Sequence, residues 1–295
     1  MILPHSSLEK YVRNIPEPDL TLNGNMYRRF FGRFTQVGTD DSELVDTLKF
    51  DLAHNVHSLV GEMAEEITHG YKTVVGNPAE WTSFPTYSTV LHIVALTSGR
   101  IFVGLPLSRD ESWLQASIQH TMGSVHLSDK LRGYYPWLRS VVAPFLKERK
   151  EVQEVQDRVA TLLNPIIANH ISKQGGRDSK SSSDESEDVG RMTGWLLGHY
   201  SKKPGKPDPK RIIRDHLTLS FAAIHVASMA LSHVLHDLAD RPEYMGNIRM
   251  ELDAEMKKCP GAVLTSKALA NLVQMDSFIK ESLRLSPSGI GMKIY

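Results

Sequence analysis

The spacing of apolar residues constrains the fold of this chain more than any other feature of its sequence. Apolar residues recur three and four positions apart over most of the length, whereas the alternation of apolar and polar residues that marks strands is scarce. A chain of 295 residues, 41% of them hydrophobic, is long enough to bury a substantial core. The sequence therefore predicts a mainly α-helical globular protein.

Proline, glycine and runs of charge divide this pattern into helices. The approximate bounds of the predicted helices are 46–71, 88–102, 113–131, 141–169, 209–238, 243–257, 265–272 and 276–285. The helix at 209–238 is the longest. At a rise of about 1.5 Å per residue its length is about 45 Å, which is enough to cross a whole domain. The helix at 46–71 is amphipathic, and its predicted buried stripe comprises Leu48, Leu52, Val56, Leu59, Val60 and Met63.

Two segments lack any apolar period. Residues 173–188 contain two glycines, five serines and a run of acidic residues, which predicts a flexible, exposed loop. Residues 202–210 are rich in lysine and proline, which predicts a flexible linker.

The charge balance gives no support to a highly charged partner. Thirty-four basic residues offset thirty-four acidic ones, so the net charge favours neither nucleic acid nor an anionic membrane surface. No stretch approaches the roughly 20 continuous apolar residues that span a bilayer. We therefore expect no membrane-spanning segment in this chain and, for the chain as it stands, a cytoplasmic location.

Cysteine and histidine spacing predicts no metal site. Cys259 is the single cysteine, so the chain alone forms neither an internal disulfide nor a multi-cysteine zinc or iron–sulfur site. His233 and His236 lie three apart on one helix face, but His225 is about 12 Å away along the helix axis, too far to share a metal.

A Glu-x-x-Arg pair lies in the last predicted helix. Glu281 and Arg284 are close enough to form an ion pair, and their apolar neighbours predict that the pair is partly buried. The surrounding sequence, DSFIKESLRLSP at 276–287, resembles the K helix of cytochromes P450. This resemblance implies that the two residues stabilise the fold and take no part in the reaction.

The long predicted helix carries a second resemblance to the same family. LSFAAIHVASMALSHVLHDLADRPEY, at 219–244, is similar to the I helix of cytochromes P450, which crosses the distal face of the haem. Small side chains at Ala222 and Ala223 would let the helix backbone approach the flat cofactor, although tight helix packing explains them equally well.

A proton-relay residue is implied at His225. The usual family pattern places an acid and then a threonine here, whereas this chain has His225 and Val226. His225 is expected to act as the proton relay because the pKa of histidine lies near neutrality, but Val226 has no hydroxyl. Ser228 points about 200° away from Val226 around the helix, so it does not replace the threonine.

Further segments extend the resemblance to the whole chain. Residues 91–110 are similar to fungal P450 enzymes of secondary metabolism, and His54 lies roughly where many P450s place a basic residue against a haem propionate. We therefore expect residues 1–295 to form a partial cytochrome P450 domain with an I helix and a K helix, truncated at both ends.

The haem-ligand loop of the family is not found in this sequence. In cytochromes P450 a cysteine thiolate within Phe-x-x-Gly-x-x-x-Cys-x-Gly binds the iron and favours O–O cleavage. Cys259 precedes Glu281 and lacks the required Phe and Gly, so it is expected to lie in a turn. The resemblance thus implies a haem enzyme family, while the absent ligand predicts that this chain alone is inactive.

The intact family implies further properties of the whole protein. These are oxidation of an apolar secondary metabolite such as a terpenoid or polyketide, an electron-donating reductase as partner, and attachment to the endoplasmic reticulum membrane. A non-enzymatic helical scaffold or interaction protein is the alternative function. In that case the apolar surface of the chain would bind a partner protein.

Overall fold

The computed structural model describes residues 22–38, 42–174, 190–202, 207–259, 261 and 264–286. Helices make up most of this part of the chain, and no strand occurs within it, which confirms the mainly α prediction. We number the α-helices α1 Leu22–Arg29, α2 Gly32–Thr35, α3 Ser42–Asp46, α4 Ala53–Val74, α5 Thr86–Phe102, α6 Glu111–Arg132, α7 Pro136–Val142, α8 Lys147–Gln174, α9 Arg191–Ser201, α10 Pro209–Asp240, α11 Glu243–Met256, α12 Ser266–Ala270 and α13 Val273–Leu285.

The longest helix, α10, organises the fold. It begins after Asp208, whose carboxylate accepts a hydrogen bond from the Lys210 backbone N–H at 2.9 Å, and Pro209 occupies its first turn. Pro242 follows its end, and α10 packs against α5, α6, α8 and α13. The predicted long helix is confirmed at this position.

Helix α10 is also the one helix in the described part of the chain that is long and apolar enough to cross a membrane. Neighbouring helices bury 50% of its most apolar 18-residue window. A helix of this kind in the centre of a helical bundle is a core element, because packing against several neighbours favours apolar residues on more than one side.

Three groups of buried side chains form the interior of the described part of the chain. The largest joins α4, α5, α6, α8, α9 and α10 and contains Leu59, Leu96, Trp113, Leu163, Leu196 and Leu217. A second lies between α6 and α8 and contains Leu127, Leu131, Ala143, Leu146 and Val152. A third joins α10 to the start of the chain, where the rings of Phe30 and Phe221 meet edge to face at 4.7 Å. The first group sets the position of α10.

The predicted helix at 46–71 is divided by a π-helical turn. Residues Thr47–Leu52 form this turn between α3 and α4, and the Ala53 N–H bonds to the Leu48 carbonyl, five residues back. The wider turn rotates the residues that follow it. Leu59 is fully buried, but Val56 is 43% exposed, so its predicted burial is wrong.

The predicted helix at 141–169 is wrong at its start. A short 3₁₀ turn, Ala143–Phe145, separates α7 from α8, and Leu146 has an extended backbone. Pro144 lacks the N–H that a continuous helix requires, and its ring crowds the preceding turn. Helix α8 therefore begins at Lys147.

The two predicted flexible segments fall largely outside the described residues. Of the acidic, serine-rich loop at 173–188, only residues 173 and 174 are described, and they complete α8. Of the linker at 202–210, residues 203–206 lie outside the described part, while residues 209 and 210 already belong to α10.

Candidate functional site

An apolar stripe on α10 faces solvent in the described structure. It consists of Ala222, Val226 and Met229, spaced four and three residues apart and therefore on one helix face. Val226 is 49% exposed and Met229 is 40% exposed, whereas Phe221 on another face is buried. The stripe offers a narrow surface of small and apolar groups that a flat ligand can approach closely.

The two predicted alanines have different surroundings. Ala222 lies on the exposed stripe, whereas Ala223 is half-buried and packs against the main core. Of the pair, only Ala222 is placed where its small side chain would lie against a ligand on the open face. Ala223 has the packing role that the sequence left open as the alternative.

His225 lies at the edge of the stripe, and both of its ring nitrogens have protein partners. The Tyr87 hydroxyl is 2.8 Å from Nδ1, and the Ile118 carbonyl oxygen is 3.2 Å from Nε2. A carbonyl accepts only, so Nε2 carries the proton and Nδ1 accepts from the tyrosine. His225 thereby connects α10 with α5 and α6.

The environment of His225 favours its neutral form. The side chain is 8% exposed, and burial lowers the pKa of the imidazole, an effect that the hydrogen bond to the Ile118 carbonyl opposes. Tyr87 is 39% exposed, and burial of its hydroxyl raises the pKa of the phenol. The pair thus joins a buried, neutral imidazole to a side chain that reaches solvent.

Tyr87 was missed in the sequence. It lies 138 residues from His225 and belongs to no motif, so its contact with His225 depends on the packing of α5 against α10. A tyrosine one residue into a helix carries no local signal for such a contact.

Ser228 lies on a different face from Val226. Its hydroxyl donates to the Ile224 carbonyl oxygen at 2.7 Å, within α10, and its side chain is fully buried. Ser220 and Ser232 of the same helix are also buried. The side chains of these three serines all point away from the stripe.

His54 lies on α4 and is exposed. Its Nδ1 is 2.6 Å from the Phe50 carbonyl oxygen, one turn earlier, so the described hydrogen bond of this ring is local. The structure does not bring His54 into a described hydrogen bond with α10. Its contact with a haem propionate therefore stays a prediction.

Glu281 and Arg284 form a bidentate ion pair on α13. The guanidinium donates from Nε to Oε2 at 2.8 Å and from Nη2 to Oε1 at 2.7 Å, and this pairing lowers the pKa of Glu281. The predicted partial burial is wrong, since the side chains are 57% and 66% exposed. Helix α13 instead turns Ser282 towards Asp237 of α10, and the Phe278 ring packs against the Tyr244 ring with 5.6 Å between their centroids.

Cys259 is the single cysteine that could supply a thiolate ligand from this chain. Cys259 follows α11, and its thiol donates to the Glu255 carbonyl oxygen at 3.4 Å, which is a local contact in a turn. No group of three or more potential metal ligands occurs in the part of the chain that the structure describes. The apolar face of α10 fits the flat side of a macrocycle, whereas the contacts of Cys259 do not suit an iron ligand.

Comparison with known proteins identifies the class to which this fold and face belong. The family model described as Cytochrome P450 matches residues 43–293, and the chain therefore belongs to the cytochrome P450 family. Haem is the cofactor of this family.

The chain is similar to fungal cytochrome P450 monooxygenases. It is 34% identical to the cytochrome P450 monooxygenase ascG of Acremonium egyptiacum, over 97% of this chain and 55% of that protein. It is 33% identical to the cytochrome P450 monooxygenase 3 of Gibberella fujikuroi, over 98% of this chain and 55% of that protein. It is also 33% identical to the cytochrome P450 monooxygenase ataF of Aspergillus terreus, over 98% of this chain and 56% of that protein. The chain thus spans about half the length of the curated relatives it matches.

Proposed function

We propose that this chain supplies the distal helical part of a haem-thiolate monooxygenase that oxidises an apolar secondary metabolite, such as a terpenoid or a polyketide. The observation that carries the proposal is the exposed stripe of Ala222, Val226 and Met229 on α10. A flat apolar macrocycle gains free energy by covering such a surface, at about 25 cal/mol per Å² of apolar area removed from water. When bound, haem supplies the oxygen-activating chemistry of the family.

The residues around the stripe have distinct roles in this proposal. Ala222 provides close approach because it has the smallest side chain with a Cβ. Val226 excludes water from the open face, because it is apolar and has no hydroxyl to bind water. His54 is the basic group proposed to meet a propionate. Glu281 and Arg284 stabilise α13 by their charged hydrogen bonds.

His225 and Tyr87 are proposed to form the proton route to this face. The Tyr87 side chain is partly exposed, and its hydroxyl donates to His225 Nδ1 at 2.8 Å. In the proposed relay, Nδ1 takes the Tyr87 proton while Nε2 breaks its hydrogen bond to the Ile118 carbonyl and gives its own proton to the stripe. The imidazole ring therefore stays neutral. Solvent then returns a proton to the Tyr87 oxygen. Histidine suits this relay because both ring nitrogens exchange protons near neutral pH.

The iron ligand is not assigned to any residue of this chain. Cys259 is the single cysteine of the sequence, and its thiol is engaged within a turn. We therefore propose that the chain by itself does not catalyse the oxidation. A reductase partner and attachment to the endoplasmic reticulum membrane are proposed for the whole protein by analogy with the family.

Haem titration of the purified chain tests the stripe. We expect Val226→Asp to weaken haem binding by at least about tenfold, because a carboxylate facing the macrocycle loses its hydration without gaining a partner. Val273→Asp is the matched control, since Val273 of α13 is also an exposed valine in a helix, at 63%. Equal haem affinities for the two variants would refute the assignment of the α10 face.

The spectrum of the titrated chain tests the ligand and the alternative function. After reduction and addition of CO, we expect no absorption band of the thiolate-ligated type, and Cys259→Ser should leave the spectrum unchanged. A thiolate-type band that Cys259→Ser abolishes would overturn the inactivity proposal. A chain that folds but binds no haem would instead favour the helical scaffold.

The hydrogen bond between Tyr87 and His225 has its own test. We expect Tyr87→Phe to shift the His225 Nδ1 resonance in ¹⁵N NMR spectra and to lower the free energy of unfolding by about 1 kcal/mol, because one partly buried hydrogen bond is lost. Tyr71→Phe is the control, since Tyr71 is 54% exposed. An unchanged His225 resonance in Tyr87→Phe would exclude the proposed proton route.

A further inference from the structure

Helices α11, α12 and α13 share no buried apolar group with the rest of the fold. We call these three helices and the described residues between them the C-terminal unit. None of its residues belongs to the three groups of buried side chains that form the interior of the described chain. Its own buried apolar side chains, among the described residues, are Ile248, Ala268 and Leu272. The apolar core that fixes the other helices therefore does not hold this unit.

The helices of the C-terminal unit are tied to one another. The Glu251 carboxylate of α11 accepts hydrogen bonds from the backbone N–H groups of Gln274, at 2.9 Å, and Met275, at 3.1 Å, in the first turn of α13. The Asn271 amide, after α12, donates to the Glu255 carboxylate of α11 at 2.9 Å. With the ring contact between α11 and α13 described above, these bonds favour movement of the three helices as one body.

Few polar contacts connect the unit to the rest of the protein. Among the described residues, two side-chain hydrogen bonds cross the boundary. The His57 Nδ1 of α4 lies 2.5 Å from the Ser266 Oγ of α12, and the Ser282 hydroxyl of α13 donates to the Asp237 carboxylate of α10. The first of these is at the surface, because His57 is exposed. Net contributions of single hydrogen bonds are only about 0.5–1.5 kcal/mol, so this connection is weak.

Open clefts lie on two sides of the unit. One, of about 740 Å³, separates α4, at Gly61 and Ala64, from Met256 and Leu264 of the unit. The other, of about 550 Å³, lies between the end of α10 and helices α11 and α13. Side chains that line an unfilled space lose the dispersion contacts that a packed interface would give them. Separation of the unit from α4 and α10 therefore breaks fewer contacts than separation of two packed helices.

The connection between α10 and α11 has the properties of a hinge. Helix α10 ends at Asp240, and Arg241 has a non-helical backbone, with φ −129° and ψ 66°. Pro242 has no N–H, so the hydrogen bonds of α10 do not continue into α11. A change of backbone angles at these two residues rotates everything that follows them, as in the hinges of other proteins.

We propose that the C-terminal unit opens and closes as one body about Arg241 and Pro242, with the hydrogen bond between His57 and Ser266 as its latch. Opening breaks this bond and the contact between Ser282 and Asp237, and it widens the cleft beside α4. The contacts that His225 makes with α5 and α6 stay in place. The motion therefore does not depend on haem binding or on the proposed proton route.

Hydrogen exchange of the full chain at low concentrations of urea tests the motion. We expect the amides of α11 and α13 to exchange at least about tenfold faster than those of α5 and α6, because the unit opens without global unfolding. The two helices should share one opening free energy and one dependence on urea, which marks a cooperative unit. Different opening free energies for α11 and α13 would mean separate fraying and would overturn the proposal. Exchange of both helices only through global unfolding would overturn it equally.

Ser266→Ala tests the latch in the same experiment. Loss of one surface hydrogen bond should increase the opening of the unit by about threefold and leave the exchange of α5 and α6 unchanged. Ser58→Ala is the matched control, because Ser58 is an exposed serine of α4 whose hydroxyl donates to the Asn55 carbonyl within the same helix. Equal exchange of the unit in the two variants would contradict the latch and overturn the proposal.

Discussion

Acidification from pH 7 to pH 4 is expected to destabilise the folded protein by about 6 kcal/mol, because two buried histidines must remain neutral. His120 of α6 and His216 of α10 are fully buried, and burial lowers the pKa of each imidazole to about 4. In the unfolded chain a histidine titrates at about 6.5. Between these values the unfolded state binds more protons, so stability is lost as the pH falls from about 6.5 towards 4.

Burial is the reason that the native state resists protonation, and the hydrogen bonds of the two rings determine which nitrogen a second proton would have to occupy. His120 Nε2 donates to the Thr35 carbonyl oxygen at 2.9 Å, and His216 Nε2 donates to the Thr193 hydroxyl oxygen at 3.0 Å. Thr193 accepts here because its own hydrogen is donated to the Phe102 carbonyl. Each Nδ1 is buried without a hydrogen-bond partner among the described residues, so a proton placed there would be a desolvated charge.

Urea unfolding at a series of pH values measures this effect. Glutamine retains a side-chain N–H donor and does not titrate, so His120→Gln with His216→Gln should remove most of the loss of stability between pH 6.5 and 4. His54→Gln is the control because His54 is exposed. A double variant with the same pH dependence as the wild type would show that other groups cause the acid sensitivity.

Arg109→Ala is expected to lower the free energy of unfolding by about 3 kcal/mol, because it leaves a buried carboxylate without its partner. Glu66 of α4 has a fully buried side chain, and Arg109 donates to it from Nε at 3.0 Å and from Nη2 at 2.8 Å. This ion pair connects α4 to the turn between α5 and α6. Since Arg109 is itself 32% exposed, we place the effect at the lower end of the range for buried pairs.

The pair formed by Glu281 and Arg284 is the matched control for this prediction. It has the same residue types and the same bidentate geometry, but both side chains are more than half exposed. Arg284→Ala should therefore lower the free energy of unfolding by less than about 1 kcal/mol. Chemical unfolding of both variants compares the two sites directly. Equal losses would mean that burial of the carboxylate does not set the strength of the ion pair.

Local sequence was sufficient to predict the longest helix, the fold class and the family. The long helix was predicted at 209–238 from an apolar period that ends before Pro242, and the structure has it at Pro209–Asp240. The fold class and the resemblance to cytochromes P450 are both confirmed. A terminating proline acts within a few residues of the backbone that it controls, so one sequence was enough to place the end of this helix approximately.

Contacts between helices were not predictable in the same way. The burial of Glu281 was inferred from apolar neighbours, but Ile279 and Leu285 are themselves exposed, and the ion pair also faces solvent. Helix α13 packs instead through Phe278, which contacts Tyr244 of α11. Tyr87 meets His225 only because α5 packs on α10, and the π turn at Thr47–Leu52 changes which residues of α4 are buried. Each of these outcomes depends on how one helix is rotated against another, which apolar spacing on a single helix does not determine.

The π turn gives the chain one place where its length is adjustable. A π turn contains one residue more than an α turn, and its hydrogen bonds run to the fifth preceding residue, as that of Ala53 to Leu48 does. Deleting one residue between Thr47 and Leu52 would convert the segment into ordinary α-helix without changing the register of α4. A one-residue deletion in this segment should therefore leave the helices on both sides of it intact.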